Sequence, residues 1–220
     1  MDEIKVVRKP DWVSWDTIHE VLENAHKVNK KQGFEMINSH LTGEKLRQKV
    51  GDGVCVVALY GDKVVGTESV SVFTGDRWYS KGKKVAHFCL TGILKKYQGC
   101  GIKKMLDDEC IKYIHEINAD LFQANTAENN ITVREGAKDS MMDVCYDVFR
   151  KTDYYSVFFA GWLKKCPYPL WYVKLRCKLS EIYIKTRYKP GKIERFRTVA
   201  FIDRVIKGIK RRIKGGNNAG

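Results

Sequence analysis

The residues of this chain that are best suited to chemistry lie in a short glycine loop. The loop reads Gln98, Gly99, Cys100, Gly101, Ile102 and Lys103. An apolar run at residues 85–94 precedes it, and a helical pattern at residues 105–117 follows it. Glycine lets the backbone approach a ligand closely, and the first N–H groups of a helix have no partner inside the helix. Because the helix dipole adds positive charge there, this arrangement predicts a site for an anionic, phosphate-bearing ligand.

Two common phosphate-binding loops do not match this sequence. The dinucleotide fingerprint requires a third glycine, but Lys104 stands three positions after Gly101. The P-loop requires Gly-Lys followed by Ser or Thr, and that pattern is also missing from the loop. The ligand is therefore expected to be phosphate-bearing but held in a different way.

The loop resembles the acyl-coenzyme A loop of the GNAT acetyltransferases, whose signature is Gln/Arg-x-x-Gly-x-Gly/Ala. Tyr97 precedes the loop, as an aromatic residue usually does in that family, whereas Lys103 replaces the last Gly or Ala. The resemblance covers roughly residues 4–162. It implies that acetyl-CoA or another acyl-CoA is the co-substrate and that the six loop residues contact it.

The resemblance also implies where the rest of the cofactor lies. In the family, the strand before the loop and the strand after the helix diverge, and the pantetheine arm occupies the gap. The backbone groups that would bind it here belong to Thr91, Gly92 and Ile93. An Asn after the later strand often contacts the cofactor as well, and Asn129 and Asn130 stand at that place. The alternative for this Asn pair is a helix cap or a turn.

The order of the predicted elements is typical of an α/β fold. β-rich runs and helical patterns alternate along the chain, which predicts a layered domain with a mixed central sheet flanked by helices. Residues 60–63 predict a hairpin turn, and Ser14 or Asp16 and then Thr42 are candidate helix caps. The predicted strands are 4–7, 54–59, 64–72, 83–94, 121–124 and 154–160. The predicted helices are 15–30, 41–50, 101–117 and a segment from 128 to about 151.

Transfer of an acyl group from a thioester to an amine needs a neutral amine, and a general base can provide it. The resemblance implies a carboxylate or histidine on the central strands, and Glu68 and His87 occupy such positions. Glu68 alternates with Val64 and Val70 on what the pattern predicts to be one side of an apolar strand. The alternatives are a solvent-facing or salt-bridged Glu68 and a structural, hydrogen-bonded His87.

The acid expected from the resemblance is a tyrosine four residues before a Gly-Phe pair. Phe149 stands at the tyrosine position, and Asp153-Tyr154 replaces the Gly-Phe pair. Tyr146 lies nearly one turn earlier on the predicted helix, so it is a candidate substitute acid. Packing of that helix is the alternative role for Tyr146.

Charge divides the chain into two parts. Residues 163–214 hold 17 Lys and Arg and 3 Asp and Glu, a net charge of 17 − 3 = +14, which equals the formal charge of the whole chain. We therefore predict a catalytic domain at residues 1–162 and a basic, aromatic-rich extension at residues 163–220. Seven cysteines without C-x-x-C spacing indicate reduced thiols in a cytoplasm and no metal site. Cys100 is interpreted as a loop filler, with a nucleophile as the alternative.

The extension is predicted to end in an amphipathic helix at residues 198–214. Its isoleucines and valine follow helical spacing, and basic residues fill the other directions. The helix could dock on its own domain or on a second subunit in a homodimer. It could instead lie on an anionic membrane, at the inner face. Nucleic acid is the least favoured partner, because the apolar face suits a membrane or a protein groove better.

The sequence thus predicts an N-acyltransferase, most simply one that uses acetyl-CoA. The acceptor is expected to be a small or lipid-linked amine, such as an amino sugar. One alternative is an acyltransferase that takes its acyl group from acyl carrier protein, an acidic donor that a basic surface would attract. Another is a catalytically silent GNAT-like domain whose basic tail binds membrane or nucleic acid.

Overall fold

One mixed sheet of seven strands runs through the residues that the structure describes. The computed structural model describes residues 3–31, 41–148 and 155–188. The strands are β1 (Ile4–Arg8), β2 (Val54–Tyr60), β3 (Lys63–Thr74), β4 (Lys84–Ile93), β5 (Leu121–Ala127), β6 (Met142–Val148) and β7 (Tyr155–Trp162). The helices are α1 (Trp15–Lys31), α2 (Gly43–Val50), α3 (Ile102–Glu116), α4 (Ile131–Ala137) and α5 (Leu170–Arg187). The predicted α/β class and the mixed sheet flanked by helices are confirmed.

The strand order places the glycine loop at the centre of the sheet. The order is β1-β2-β3-β4-β5-β7-β6. Strands β1 to β4 are antiparallel, as are β5, β7 and β6, whereas β4 and β5 are parallel. Parallel neighbours need a long crossover, and the loop with α3 supplies it. The predicted hairpin joins β2 to β3, since Tyr60 pairs with Lys63.

Both faces of the sheet are covered by apolar helix surfaces. Helices α1 and α2 pack Ile18, Leu22 and Leu46 onto one face. Helix α3 packs Leu106 and Ile114 onto the other. Hydroxyl caps begin the first two helices.

Ser14, rather than Asp16, caps α1, because its Oγ accepts a hydrogen bond from the Thr17 N–H at 3.0 Å. Thr42 caps α2, with its Oγ1 3.4 Å from the Lys45 nitrogen. These two contacts satisfy backbone N–H groups that have no partner inside the helix. Both helix starts were predicted from the hydroxyl residues themselves.

The predicted helix from 128 to about 151 is wrong. Helix α4 ends at Ala137, and β6 follows it and pairs with β7. The β6 sequence alternates Val144, Tyr146 and Val148, a pattern that suits a strand. Tyr146 therefore lies on a strand. Phe149, which stands where the resemblance expects the acid tyrosine, lies outside the described residues.

Strand β3 does not keep one face throughout its length. Val64 packs with the α1 and α2 side, whereas Val65 and Val70 pack with the α3 side. The cause is a register shift opposite Ala58 and Leu59, which places one extra β3 residue in the ladder. The prediction that Val64 and Glu68 share a face is therefore wrong, because a bulge reverses the alternation between them.

The first part of the basic extension forms α5, which packs on β6. Val173, Cys177 and Ile184 are buried on its inner side. Ser180 Oγ accepts a hydrogen bond from the Tyr146 N–H at 2.9 Å, which connects the helix to the edge strand. The predicted amphipathic helix at 198–214 lies outside the described residues. Among the helices that are described, none has an apolar stretch long enough to cross a bilayer.

The packing of α3 gives a test of the core. Leu106 is fully buried between α3 and the sheet, while its neighbour Met105 is exposed. We expect Leu106→Ala to lower the free energy of unfolding by about 2–5 kcal/mol, because it leaves a cavity. Met105→Ala is the matched control and should change it by less than about 0.5 kcal/mol. Urea unfolding followed by circular dichroism measures both, and equal effects would contradict this arrangement of α3.

Candidate active site

The glycine loop turns the chain from β4 into α3. A short 3₁₀ turn, Lys95–Tyr97, follows β4, and Gly99 and Gly101 then adopt φ values of 80° and 75°. A side chain at Gly101 would meet no other atom within 4 Å, so the space beside it is open. Ile102 is buried under α3 and fixes the first helical turn to the sheet. The space beside Gly99 and Gly101 is thus open, which leaves room for a ligand at the start of α3.

The other loop side chains have defined positions. Gln98 does not extend outward, because its Nε2 donates to the carbonyl of Ile93 at 2.9 Å. Cys100 is exposed, whereas five of the other six thiols are buried. All seven cysteines are free in this structure.

Lys103, the residue that departs from the loop signature, points away from the loop surface. Its Nζ lies 3.0 Å from Glu68 Oε1 and also contacts the carboxylate of Asp107. Glu68 is 1% exposed, while the Lys103 side chain is about half exposed. The lysine is therefore engaged by the Asp107 carboxylate and the Glu68 carboxyl group, and a phosphate at this loop would depend mainly on backbone N–H groups.

Glu68 lies in an environment that favours its neutral form. Burial raises the pKa of Glu68 above the usual carboxyl range, while the Lys103 ammonium acts in the opposite direction. Burial also lowers the pKa of Lys103, but Glu68 and Asp107 outweigh it and the net shift is upward. One ammonium group cannot fully compensate two carboxylates, and the more buried of the two is the one that keeps a proton most easily.

A bulge in β4 lies directly opposite Glu68. Between the pairs Thr67–Gly92 and Ser69–Cys89, β4 carries one residue more than β3. Leu90 has a φ of 54°, which is uncommon for a non-glycine residue, although its side chain is fully packed in the core. The surrounding contacts must offset this backbone strain.

Thr91 is the residue that holds the bulge from both faces of the sheet. Its Oγ1 donates to Glu68 Oε1 at 2.8 Å on the α3 side. Its carbonyl oxygen lies 2.8 Å from His26 Nε2, which belongs to α1 on the other side. Burial lowers the pKa of His26, so its neutral ring can serve as the N–H donor to this carbonyl.

Strands β4 and β5 diverge close to this bulge. They pair from Val85–Leu121 to His87–Gln123, and the register records no β5 partner for residues 88–93 among the described residues. These β4 residues remain paired with β3. The gap lies on the side of the glycine loop, and Thr91, Gly92 and Ile93 border it; their contact with a cofactor stays a prediction.

His87 stands at the last pair before the gap, on the opposite face of the sheet from Glu68. Its neighbour Phe88 pairs with Val70, which shares the Glu68 face, so His87 points the other way. Burial lowers the pKa of His87 to about 4, and the ring is neutral at pH 7. Glu68 and His87 are thus both near the gap but are not brought together.

A hydrogen-bond chain sets the tautomer of His87. The hydroxyl of Tyr79 donates to Gln123 Oε1 at 2.8 Å, which leaves the Gln123 amide nitrogen facing His87 Nδ1 at 3.3 Å. With Gln123 in this assigned orientation, Nδ1 accepts and Nε2 carries the proton. His87 is therefore arranged to donate a hydrogen bond through Nε2, rather than to act as the base that the sequence predicts.

Tyr146 does not join these residues. Three strands separate β6 from β3, so Tyr146 lies roughly 19 Å from Glu68 across the sheet. Its ring instead lies 5.4 Å from the Lys185 ammonium of α5. The structure gives Tyr146 a packing environment at the sheet edge.

The two asparagines after β5 form a turn and a cap. Asn130 Oδ1 caps α4 by accepting from the Val133 N–H, and its Nδ2 donates to Thr126 Oγ1 at 3.0 Å. The carbonyl of Asn129 accepts from the Ile131 N–H. Asn130 is thus a helix cap, which was the alternative considered for this pair. Contact of either asparagine with a cofactor stays a prediction.

Sequence reasoning missed several residues that shape this site. The contacts of Glu68 with Lys103 and of His26 with Thr91 join residues 35 and 65 positions apart. Local periodicity carries no signal for such pairs. The contact between Lys103 and Asp107 could have been predicted, because Asp107 stands four residues after Lys103 on a predicted helix.

Comparison with solved structures identifies the fold. An acetyltransferase of the GNAT family from Staphylococcus aureus Mu50 superposes with a TM-score of 0.56 at 18% identity, covering 74% of this chain and all of that one. A GNAT family acetyltransferase from Elizabethkingia anophelis with acetyl-CoA bound gives 0.52 at 11% identity, with the same coverages. The chain has the GNAT fold. No family's sequence profile and no curated relative matches it.

The likeness extends to other GNAT-fold enzymes. Ribosomal-protein-alanine N-acetyltransferase from Brucella melitensis superposes with a TM-score of 0.54 at 15% identity, covering 72% of this chain and 99% of that one. The resemblance to GNAT acetyltransferases, first seen in the sequence of the glycine loop, is thus supported by the fold as a whole. At these identities the comparison establishes the fold, and the site must be argued from the residues of this chain.

The buried Glu68–Lys103 contact gives a prediction on pH and stability. Between the ordinary carboxyl pKa of about 4.3 and the raised value, the folded state keeps a proton that the unfolded state has lost. The free energy of unfolding therefore falls as pH rises through this window. Lys103→Met removes the compensating charge, so it should destabilise the protein more at about pH 8 than at about pH 5.

Urea unfolding at both pH values measures this effect. Adding Glu68→Gln to Lys103→Met should remove the extra pH dependence, because Gln does not titrate. The loss in the single variant should stay below the ~3–5 kcal/mol typical of a broken, fully buried ion pair, since Lys103 is half exposed. The same loss at both pH values would show that Glu68 does not titrate as inferred.

Proposed function

We propose that this protein is an N-acyltransferase that transfers an acyl group from acyl-CoA to an amine, with acetyl-CoA as the donor. The observation that carries the proposal is the divergence of β4 and β5 after His87–Gln123, beside a glycine loop with open surroundings. The gap gives an extended arm access to the edge of β4 that faces β5, and the loop would offer N–H groups to phosphates. The GNAT-fold enzyme with bound acetyl-CoA supports the same donor.

The reaction follows from this geometry. The amide groups at Gly99 to Lys103 would hold the pyrophosphate, and the backbone at Thr91, Gly92 and Ile93 would hold the pantetheine arm. A neutral amine would attack the thioester carbonyl, form the C–N bond and expel the coenzyme A thiolate. The amine loses a proton and the thiolate gains one, so the overall step is neutral.

His87 is the side chain that we propose to take part in this step. It stands where the gap begins, and its Nε2–H is available as a donor because Nδ1 is occupied by Gln123. A neutral donor at this place would bind the carbonyl oxygen as negative charge develops, or pass a proton toward the thiolate. Glu68 is instead a positioning residue, because its bonds to Thr91 and Lys103 hold the β4 bulge and the start of α3.

The acceptor that we propose is a small or lipid-linked amine. A lipid-linked amino sugar is one member of this class. The basic C-terminal extension would bring the enzyme to the anionic membrane surface, where such an acceptor lies. A donor carried by acyl carrier protein would use the same chemistry at the thioester. Turnover with acetyl-CoA or with an acylated carrier protein, each with a panel of amines and read as release of free thiol, separates these possibilities from one another and from a silent domain.

Cofactor binding is tested at the loop. Gly101→Asp should abolish coenzyme A binding, because it places a carboxylate where phosphate oxygens should lie and opposes the helix dipole. Gly82→Asp is the matched control, since Gly82 also has a positive φ of 71° and open surroundings but precedes the other end of β4. Calorimetry should show binding by the wild type and Gly82→Asp alone. Equal affinity in all three proteins would exclude the loop as the binding site.

The roles of His87 and Glu68 are separated by kinetics. His87→Gln should lower kcat by ~10²-fold or more while the affinity for coenzyme A is nearly unchanged, as expected for loss of a proton-transfer or oxyanion partner. Glu68→Gln should act mainly on coenzyme A affinity, because Glu68 supports the cofactor gap. The reverse pattern, with kcat lost only in Glu68→Gln, would show that Glu68 is the catalytic group and that our assignment of His87 is wrong.

A further inference from the structure

Helix α5 has an apolar surface on each of two opposite sides. The inner side is buried against β6 and the neighbouring core. The outer side carries four large apolar residues, which we call the outer stripe: Trp171, Leu175, Leu179 and Ile182, with exposures of 66%, 47%, 52% and 51%. Their spacing of four, four and three residues places them within an arc of roughly 80° on the helix surface. A contiguous apolar stripe of this kind on a soluble fold marks an interaction surface.

Basic residues border the outer stripe on both sides. At 100° per residue, Lys174, Lys178 and Lys185 fall along one border, and Arg176 and Arg187 lie roughly 60–80° beyond the other, with Arg176 stacked on Trp78. The helix carries five basic residues and one acidic residue, Glu181, a net charge of 5 − 1 = +4.

Glu181 lies beside the lysine border of the outer stripe. By the same helical geometry it is roughly 20° from Lys174, and it accepts hydrogen bonds from Lys178 and Lys185, while Lys185 also pairs with Glu128. The outer surface of α5 is thus apolar at its centre, and its borders carry basic residues whose charge Glu181 and Glu128 partly compensate.

This charge pattern selects among the possible occupants. A second copy of α5 would bring a charge of +4 against +4. The chain's own segment 198–214 has six basic residues and one acidic residue, a net charge of 6 − 1 = +5, so it is repelled as well. An anionic bilayer complements both the apolar centre and the basic borders, and an interfacial helix with this arrangement lies in the plane of the membrane.

We propose that the outer stripe of α5 is a docking surface for an anionic phospholipid bilayer. Trp171 and the three aliphatic residues enter the boundary between headgroups and acyl chains, and the bordering bases contact lipid phosphates. Because α5 covers edge strand β6, this contact leaves the gap between β4 and β5 on another part of the sheet. The proposal does not depend on the proposed acyl transfer.

The test is co-sedimentation of the full chain with phosphatidylcholine vesicles, with and without phosphatidylglycerol. The wild type should sediment with the anionic vesicles and much less with the neutral ones. Leu175→Asp combined with Leu179→Asp should weaken the binding by roughly tenfold or more, because it removes apolar contact and adds negative charge. High salt should weaken the wild type only in part, since the apolar contact is not screened.

Matched variants make the result specific to the outer stripe. Trp171→Ser should weaken binding, whereas Trp12→Ser should not, because Trp12 is similarly exposed at 60% but lies between β1 and α1, away from α5. Trp171→Phe should still bind but lose the blue shift of tryptophan fluorescence that vesicles cause in the wild type. Ile206→Asp with Ile209→Asp measures any separate contribution of segment 198–214.

Three results would overturn the proposal. The first is a wild type that does not bind anionic vesicles. The second is equal binding by the wild type and the Leu175 and Leu179 double variant, provided that circular dichroism shows both folded. The third is a dimer in vesicle-free solution that the double variant converts to a monomer, because a second copy would then cover the outer stripe. If the double variant does not fold, the single Trp171 variants decide the question by the same binding and fluorescence measurements.

Discussion

The arrangement of the site depends on the hydrogen bonds that the buried carboxyl group of Glu68 accepts. This group lies under α3 and accepts from Thr91 of the β4 bulge and from Lys103 at the start of α3. Both bonds are made by Oε1, while Oε2 is buried without a hydrogen-bond partner among the described residues, and a buried polar group of this kind is costly. The position of Glu68 therefore constrains the bulge and the first turn of the phosphate-binding helix together. Removing either partner would affect both the strand and the loop.

The bulge itself explains why the gap between β4 and β5 exists. A bulge bends the strand that carries the extra residue and increases its local twist. Here β4 keeps its pairing with β3 on both sides of the extra residue, while the pairing with β5 ends before it. The His26 contact to the Thr91 carbonyl holds the bent strand from the α1 side. Two helices on opposite faces thus maintain one local departure from regular β-structure.

Much of this fold follows from local features of the sequence. The loop at Gly99 and Gly101, the caps at Ser14 and Thr42 and the hairpin at Tyr60 depend on neighbouring residues, so periodicity and residue type were sufficient to predict them. The bulges in β3 and β4 depend on strand pairing and were not predictable in this way. The bulge in β3 is the one that makes Val64 and Glu68 face opposite sides. Strand β6 was mistaken for helix because its residues are stabilised by β7 and α5, which lie later in the chain.

The limited pairing between β4 and β5 has a consequence for the cooperativity of folding. Strands β1 to β4 form one antiparallel group, β5 to β7 form another, and the direct ladder between the two groups consists of three residue pairs. Each group has helices of its own packed against it, so the two halves can differ in local stability. A molecule that fills the gap would contact both halves and add the cross-connections that the backbone leaves out. Native-state hydrogen exchange in the ligand-free protein should therefore distinguish two units, which ligand binding merges into one.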